Sequence, residues 1–362
     1  MICKSAFQEG YSMLAARWHR RGDVRLEDVQ PRPRRDDELL VKVHWCGICG
    51  TDLEEFRDGP LIIPVDDPHP LSGRTAPLTL GHEVVGEVVE AARDGSGPPV
   101  GTMVVPDVVN GCGSCWWCLR HEDGLCPNLS VLGQQDDGGL AEFMVARART
   151  CVPLPSGLSA ADAVLAEPAA VAVRAVRKAP DPIGSTAVVI GGGTIGQLTA
   201  QAALALGAAN CWIVDPSPFR RAFAQSHSAV RALAPEELDM LIEDLDDPGV
   251  DVIYECSGAP GQIERSLALV RPGGTVVAVG LGAQPQPLPL PPVVLGERRL
   301  IGSAAHLWDV DVAQAVRMLA DGRLQAKELI THRVPLQDLV TIALPLLAAP
   351  DAEVLKVAVD CR

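Results

Sequence analysis

Residues 186–215 read TAVVIGGGTIGQLTAQAALALGAANCWIVD: an apolar run, a glycine-rich turn, an alanine-rich helical stretch and a second apolar run that ends in aspartate. Gly191, Gly193 and Gly196 spell G-x-G-x-x-G between a strand and a helix. Such glycines supply a tight turn, close approach of the backbone to a pyrophosphate, and close packing of the helix on the sheet. Asp215 ends the next strand, where a carboxylate hydrogen-bonds the adenosine ribose of a dinucleotide. Its charge repels a 2′-phosphate, so the stretch favours NAD over NADP. Arg220 and Arg221 follow closely and can attract that phosphate, which leaves NADP as the weaker alternative. A glycine-rich turn without a ligand is the plainer reading, and the complete strand, turn, helix and strand context argues against it.

That unit sets the class of the chain around it. From about residue 157 onward, alanine-rich helical stretches separate short apolar strands, among them NCWIVD, VDVIYECSG and GGTVVAVGL. This is the pattern of βαβ units in an α/β fold with a doubly wound parallel sheet. The residues before it differ: β-like runs (ELLVKVHW, HEVVGEVVE, TMVVPDV, AEFMV) alternate with loops rich in Gly, Pro and Asp, as in an irregular β-rich domain. The C-terminal stretch mixes a helical VAQAVRMLADG with strand-like ITHRVPL and VLKVAVD, and can return to the first domain. AQPQPLPLPPVV at 283–294 reads as an extended loop, with a polyproline ligand motif as the lesser alternative.

A chain of 362 residues is long for one hydrophobic core, which agrees with two domains. Its formal charge of −15 repels nucleic acid and anionic membrane surfaces and points to small-molecule partners. No run of about 18 apolar residues occurs, and the opening MICKSAFQEGYS has no apolar core, so neither a membrane span nor a signal peptide is expected and the chain reads as cytoplasmic. Thiols stay reduced there, and the eleven cysteines, an odd number, are not a disulfide framework. Four of them crowd into GCGSCWWCLRHEDGLC with the spacing C-x2-C-x2-C-x7-C. Cys112, Cys115, Cys118 and Cys126 can close a tetrahedron around Zn²⁺ with no position left for substrate, which makes a structural site. An iron–sulfur cluster and four unrelated buried cysteines are the other readings. The seven-residue final gap does not match the bacterial ferredoxin run, and the density of the cluster argues against chance.

A second set of metal-ligand types is more scattered. WCGICGTDLEEF offers Cys46 and Cys49, TLGHEVVGEV offers His82 and Glu83, and VLAEPAAV carries Glu167 in an otherwise apolar segment. An ionised carboxylate among such small residues is costly unless paired or bound to metal. A catalytic zinc takes three protein ligands and keeps a fourth position open, so one Cys, one His and one Glu form a suitable set. An alcohol bound to such an ion loses its proton readily, and the alkoxide can pass hydride to a nicotinamide. The plainer readings are a structural histidine and, for Cys46, a small core hydrophobe.

The motifs CGICGTD, GHE, the four-cysteine lobe, DGG at 137–139, AEP, GGGTIG, ECSG, GGTVVAVG, GS at 302–303 and LITHRVPL occur in an order that resembles the zinc-dependent medium-chain dehydrogenase/reductases, the alcohol dehydrogenase superfamily, from Met13 to the end. The resemblance implies a GroES-like catalytic domain split in sequence (1–159 and 308–362), a Rossmann NAD-binding domain at 160–307 and a catalytic zinc in the cleft between them. With the zinc of the four-cysteine lobe that makes two per chain, and the family implies a homodimer or homotetramer. It implies Cys49 and His82 as ligands of the catalytic zinc. Glu167 stands where many members have a second cysteine, near the metal directly or through water, and Glu83 is able to approach the same ion. Thr51 matches the hydroxyl residue that touches the substrate oxygen and starts a proton relay. Ile195, Asp215, Arg220, Val279, Gly280, Leu281 and Ser303 match cofactor-contacting positions, and Arg220 accompanies NAD in similar enzymes, which weakens the NADP alternative.

The long segment TDLEEFRDGPLIIPVDDPHPLSGRTAPLTLGHE resembles the butanediol dehydrogenase branch, whereas sorbitol dehydrogenases are shorter there. The polar residues that hold a polyol in the latter correspond to Glu55, Ala305 and His306, and an alanine in place of arginine disfavours an extended polyol. Glu54 stands where a histidine commonly passes the proton outward, and a carboxyl group with an ordinary pKa of about 4 suits that task less well at neutral pH. The leading expectation is an NAD-dependent zinc alcohol dehydrogenase acting on a small vicinal diol and its hydroxyketone. A specialised dehydrogenase of a larger metabolite is the alternative, and a non-catalytic NAD-binding scaffold is the rival from another class. Residues 1–12 read as an extension before the family's usual start.

Overall fold

The computed structural model describes residues 12–227, 229–243, 245, 249–282, 284–325, 327–349 and 352–362; apart from Ser12, the expected N-terminal extension lies outside them. The chain divides into two compact units. One holds the residues up to Glu167 with Leu307–Val316 and Ile330–Arg362, and the other holds Pro168–His306 with Arg317–Leu329.

The first unit begins with strands β1 (Met13–Arg20), β2 (Asp23–Val29), β3 (Glu38–Gly47), β4 (Leu78–Thr79), β5 (Glu83–Glu90), β6 (Met103–Pro106), β7 (Val109–Asn110), β8 (Ser130–Val131), β9 (Phe143–Arg147) and β10 (Cys151–Pro153). The second unit contributes β11 (Thr186–Ile190), β12 (Asn210–Val214), β13 (Arg231–Leu233), β14 (Val250–Glu255), β15 (Val270–Ala278) and β16 (Arg299–Gly302), after which β17 (Ile330–Pro335) and β18 (Lys356–Asp360) complete the first unit. Among the described residues no helix is long and apolar enough to cross a membrane.

Strand β3 organises the first unit. Its run ELLVKVHWCG is buried at nearly every position, because it has neighbours on both edges. One edge pairs with β5, and the other is shared, Glu38–Lys42 with β9 and Trp45–Gly47 with β18. Gly47 at its end is therefore opposed by Glu83 of β5 on one side and by Ala358 of β18 on the other. The chain then turns into the helix Gly50–Asp58, so whatever follows β3 is fixed by strands from three distant parts of the sequence.

The second unit is the doubly wound sheet expected from the glycine fingerprint. All six strands are parallel in the order β13-β12-β11-β14-β15-β16, so the winding reverses between β11 and β14. Val188, Ile190, Trp212, Ile253, Leu267 and Val276 are buried together, each aliphatic side chain stabilising the fold by roughly 1.5–3 kcal/mol. The helix Thr194–Ala205 packs closely because its inner face is small: a Cβ on Gly196 would lie 1.8 Å from the Gly191 carbonyl oxygen. Gly191 itself has φ +97°, a left-handed conformation that favours glycine.

One expectation is corrected. In the proline-dense stretch 284–289 is free of helix and strand, as a loop would be, but its end closes into a short helix, Leu290–Leu295. Pro291 and Pro292 fall in its first turn, where backbone N–H groups have no helical partner and the fixed proline φ suits a helix.

Candidate functional site

Cys49, at the start of the helix Gly50–Asp58, and His82 with Glu83, at the start of β5, come together although they are far apart in sequence. Their ligating atoms all lie within 4.8 Å of one another. The β3–β5 pairing brings them there, and Gly47 makes room: a Cβ at that position would stand 1.9 Å from Glu83 Oε2. Gly81, beside His82, is gripped by the turn that carries the DGG sequence, since a Cβ on Gly138 would lie 2.2 Å from the Gly81 carbonyl oxygen. Asp137 of that turn accepts from the Thr79 N–H at 2.9 Å and pairs with Arg17 and Arg74.

Two residues that the sequence did not single out complete the surroundings. Asp52, 1% exposed, accepts from the Cys49 N–H at 3.0 Å and faces His82 Nδ1 at 3.6 Å, orienting both. The T-D of CGICGTD was its only signal. Lys356, 4% exposed at the start of β18, donates to Glu83 Oε1 at 2.5 Å and to the Ile48 carbonyl at 3.0 Å. Burial opposes its charge, yet Glu83 and Cys49 hold its pKa above the usual lysine value. No local pattern distinguishes this lysine from an exposed one in a strand. Glu167, in the first turn of the helix Ala166–Lys178, stands outside the three-residue cluster, but its charge reaches both Glu83 and Lys356.

These residues suit a Zn²⁺ ion. Glu83 Oε2 is buried with no hydrogen-bond partner among the described residues, an acceptor that wants a cation. Burial disfavours a charged His82, yet Asp52 and Cys49 draw a proton to it and hold its pKa well above the ordinary histidine value, so the pocket attracts positive charge. One thiol, one imidazole and one carboxylate form a set that leaves a coordination position open. Thr51 Oγ1 lies 3.5 Å from Cys49 Sγ, and Glu54 is exposed three residues further along the same helix. Partial burial, Asp58 and Glu55 raise the Glu54 pKa from the ordinary glutamate value. Cys46 is buried, its thiol pKa pushed well up by desolvation, and it lies outside the cluster.

The placement of Glu55 overturns its reading as a substrate-holding position. Its side chain is 0% exposed and accepts three backbone N–H groups, from Leu61 at 3.0 Å, Ile62 at 2.5 Å and Ile63 at 3.1 Å. The carboxyl group clasps the loop that follows the helix and is sealed from solvent.

In the cysteine lobe, Cys112, Cys115, Cys118 and Cys126 each offer a sulfur within 4.8 Å of the others. Two of the Sγ–Sγ distances are 4.0 Å (Cys112–Cys118) and 3.5 Å (Cys115–Cys118), and an ion with Zn–S bonds of ~2.3 Å in a tetrahedron asks for about 3.8 Å. Hydrogen bonds from Ser114 and Cys115 lower the Cys112 pKa to about 6. Four sulfurs, with no further Cys, His, Asp or Glu in the cluster among the described residues, make this a closed site.

In the second unit Asp215 is buried beside the glycine turn. It accepts from the Gly192 N–H at 2.7 Å and the Ser217 N–H at 2.8 Å, with Arg220 Nη1 at 3.5 Å. Ile195 is in the helix behind that turn. Val279, Gly280 and Leu281 follow β15, and Ser303 follows β16. All stand at the C-terminal ends of the strands, where doubly wound sheets bind ligands. Ser303 Oγ is buried without a partner among the described residues, which fits a site for a polar cofactor group.

Comparison with known proteins agrees with this architecture. Residues 35–156 match the alcohol dehydrogenase GroES-like domain and residues 194–321 match the zinc-binding dehydrogenase domain. The (R,R)-butanediol dehydrogenase of Bacillus subtilis strain 168 is 33% identical over 91% of this chain and 94% of its own length. A sorbitol dehydrogenase of the same strain is 30% identical over 90% of this chain and 91% of its own. The crystal structure of 2R,3R-butanediol dehydrogenase from Bacillus subtilis superposes with a TM-score of 0.88 at 31% identity, covering 96% of this chain and 99% of that one. The chain belongs to the zinc-type medium-chain alcohol dehydrogenase family, in its butanediol and sorbitol branch. It is an oxidoreductase of CH–OH groups that uses zinc and a nicotinamide cofactor.

Proposed function

We propose that this enzyme interconverts a small vicinal diol and its hydroxyketone, of the 2,3-butanediol and acetoin type, with NAD as cofactor. The reading rests on the cluster of Cys49, His82 and Glu83 beside the Thr51 hydroxyl. The kinship with butanediol dehydrogenases over nine-tenths of the chain gives the substrate class. When bound, the zinc supplies Lewis acidity and the nicotinamide accepts the hydride. Cys49 and His82 hold the metal, Glu83 joins them in the same cluster, and Glu167, outside it, acts on the ion through its charge or through water. Thr51 takes the proton of the substrate hydroxyl, its oxygen able both to accept and to donate. Glu54 passes the proton outward, and its raised pKa brings a glutamate nearer to the range that a relay at neutral pH requires. With Glu55 consumed by its loop and alanine at position 305, little remains to hold a long polyol. Asp215 supports NAD over NADP by its charge.

Initial rates with 2,3-butanediol, sorbitol and a graded panel of bulkier secondary alcohols, each with NAD and NADP, test the assignment. Butanediol with NAD is expected to give the highest kcat/KM. No turnover of any short diol, with turnover of bulkier alcohols, would favour the reading as a dehydrogenase of a larger metabolite, to which the exposed Leu61 and Ile62 on the loop clasped by Glu55 lend some support.

The four thiolates of the lobe fit a reducing compartment, the cytoplasm. We also infer a homodimer or homotetramer. β16 is the edge of the parallel sheet, and Leu300 on it and Leu290, Val294 and Leu295 on the neighbouring helix are exposed. An open apolar edge invites pairing with a second copy about a two-fold axis. Leu300→Lys is expected to shift the oligomer towards smaller species in light scattering, and an unchanged mass would place the interface elsewhere.

A further inference from the structure

Three turns meet at the C-terminal ends of β11, β14 and β15, and one carboxyl group sits where they join. Glu255, the last residue of β14, is 0% exposed. Its side chain accepts the Ser257 N–H at 2.8 Å, the Ser257 hydroxyl, and the Gly258 N–H at 3.0 Å through Oε1 and 3.2 Å through Oε2. Its main-chain carbonyl accepts the N–H groups of Val279 at 2.8 Å and Gly280 at 2.9 Å, so the same residue holds the turn after β15. The turns are in contact at the closest possible range. A Cβ on Gly280 would lie 2.2 Å from the Gly258 nitrogen and 3.0 Å from Glu255 Oε2, and one on Gly191 would lie 3.0 Å from Ser257 Cβ. Gly258 has φ +63°.

A doubly wound sheet binds a dinucleotide as two halves. The glycine turn and Asp215 belong to the half built on β11 and β12 and take the pyrophosphate and the adenosine ribose. The turns after β14, β15 and β16 then face the other nucleotide, and the unpartnered Ser303 Oγ marks a missing polar partner in that half. We propose that Glu255 is a positioning residue for the nicotinamide half of the cofactor: its carboxyl group locks the turn at 256–258, and with it the turn at 279–281 that packs against Gly258, into the shape that half requires. The donors that converge on it need an acceptor without hydrogens of its own. With its oxygen in the place of Oε1, a glutamine amide would put its N–H₂ group in the place of Oε2, facing the Gly258 N–H, a buried donor set against a donor.

The test compares the zinc-loaded wild-type enzyme with Glu255→Gln and Ser257→Ala, titrating NADH by its nicotinamide fluorescence and ADP-ribose, which lacks the nicotinamide, by calorimetry. Glu255→Gln is expected to weaken NADH binding roughly tenfold, the cost of one unmatched buried donor, while ADP-ribose affinity stays within about twofold. KM for the oxidised cofactor rises, and kcat changes less. Ser257→Ala, which removes one of the donors, shifts the same way by a smaller factor. Equal weakening of both ligands, or weakening of neither, overturns the proposal. If Glu255→Gln does not fold, Ser257→Ala is judged by the same split. No alcohol enters the titrations, so the result is independent of the substrate assignment.

Discussion

Cys49→Ala and His82→Ala are each expected to remove almost all alcohol oxidation and to leave one zinc per chain where two are expected in the wild type. The ligating atoms of Cys49, His82 and Glu83 form one cluster and the four sulfurs of the lobe another, with no residue in common. Loss of a ligand from the first therefore leaves the second intact. A Lewis acid at a reacting oxygen contributes several kcal/mol to the transition state, so losing it costs about 10³-fold or more in kcat/KM. Metal analysis and steady-state rates on the same preparations check both parts. Undiminished oxidation by either variant, or the loss of both zinc ions from it, would refute the assignment. A lobe variant such as Cys115→Ser is expected to show the opposite profile: loss of the other zinc and lower stability, while protein that remains folded still turns over.

These two clusters were legible in the sequence to different degrees, for physical reasons. The lobe is local: four sulfurs within fifteen residues can close on one ion whatever the rest of the chain does. The glycine turn is also local, because Gly191 needs a left-handed φ and Gly196 must abut the Gly191 carbonyl, constraints written within six residues. Cys49 and His82 meet only because Gly47 of β3 comes opposite Glu83 of β5, and a one-residue slip there would turn the side chains to the opposite face. Family resemblance, not spacing, supplied that. The side-chain direction of Glu55 lay beyond both kinds of reading. The residue falls at the expected place on its helix, but three unpaired N–H groups of the following loop compete for its carboxyl group and win. Glu255 looked like one letter in ECSG until the turns folded onto it.

Lys356 was the least legible residue of all, and it carries the second large effect. It lies 273 positions from Glu83 in sequence, and both side chains are buried. Removing one member of a buried ion pair leaves the other charge desolvated and alone, so Lys356→Met is expected to destabilise the enzyme by about 3–5 kcal/mol. The cost depends on Glu83, which separates this effect from lost packing. Pairing Lys356→Met with Glu83→Gln removes the stranded charge, and the double variant is expected to be more stable than Lys356→Met alone, with a coupling energy well outside simple additivity. Zinc should matter as well: with Lys356 gone, the freed oxygen of Glu83 has the metal as its remaining cation, so the loss is smaller in zinc-loaded protein than after chelation. Thermal midpoints of the four proteins, each with and without chelator, read out every term. If the two single losses simply add, Lys356 and Glu83 do not act as a pair, and the lysine is only filling space at the end of β3.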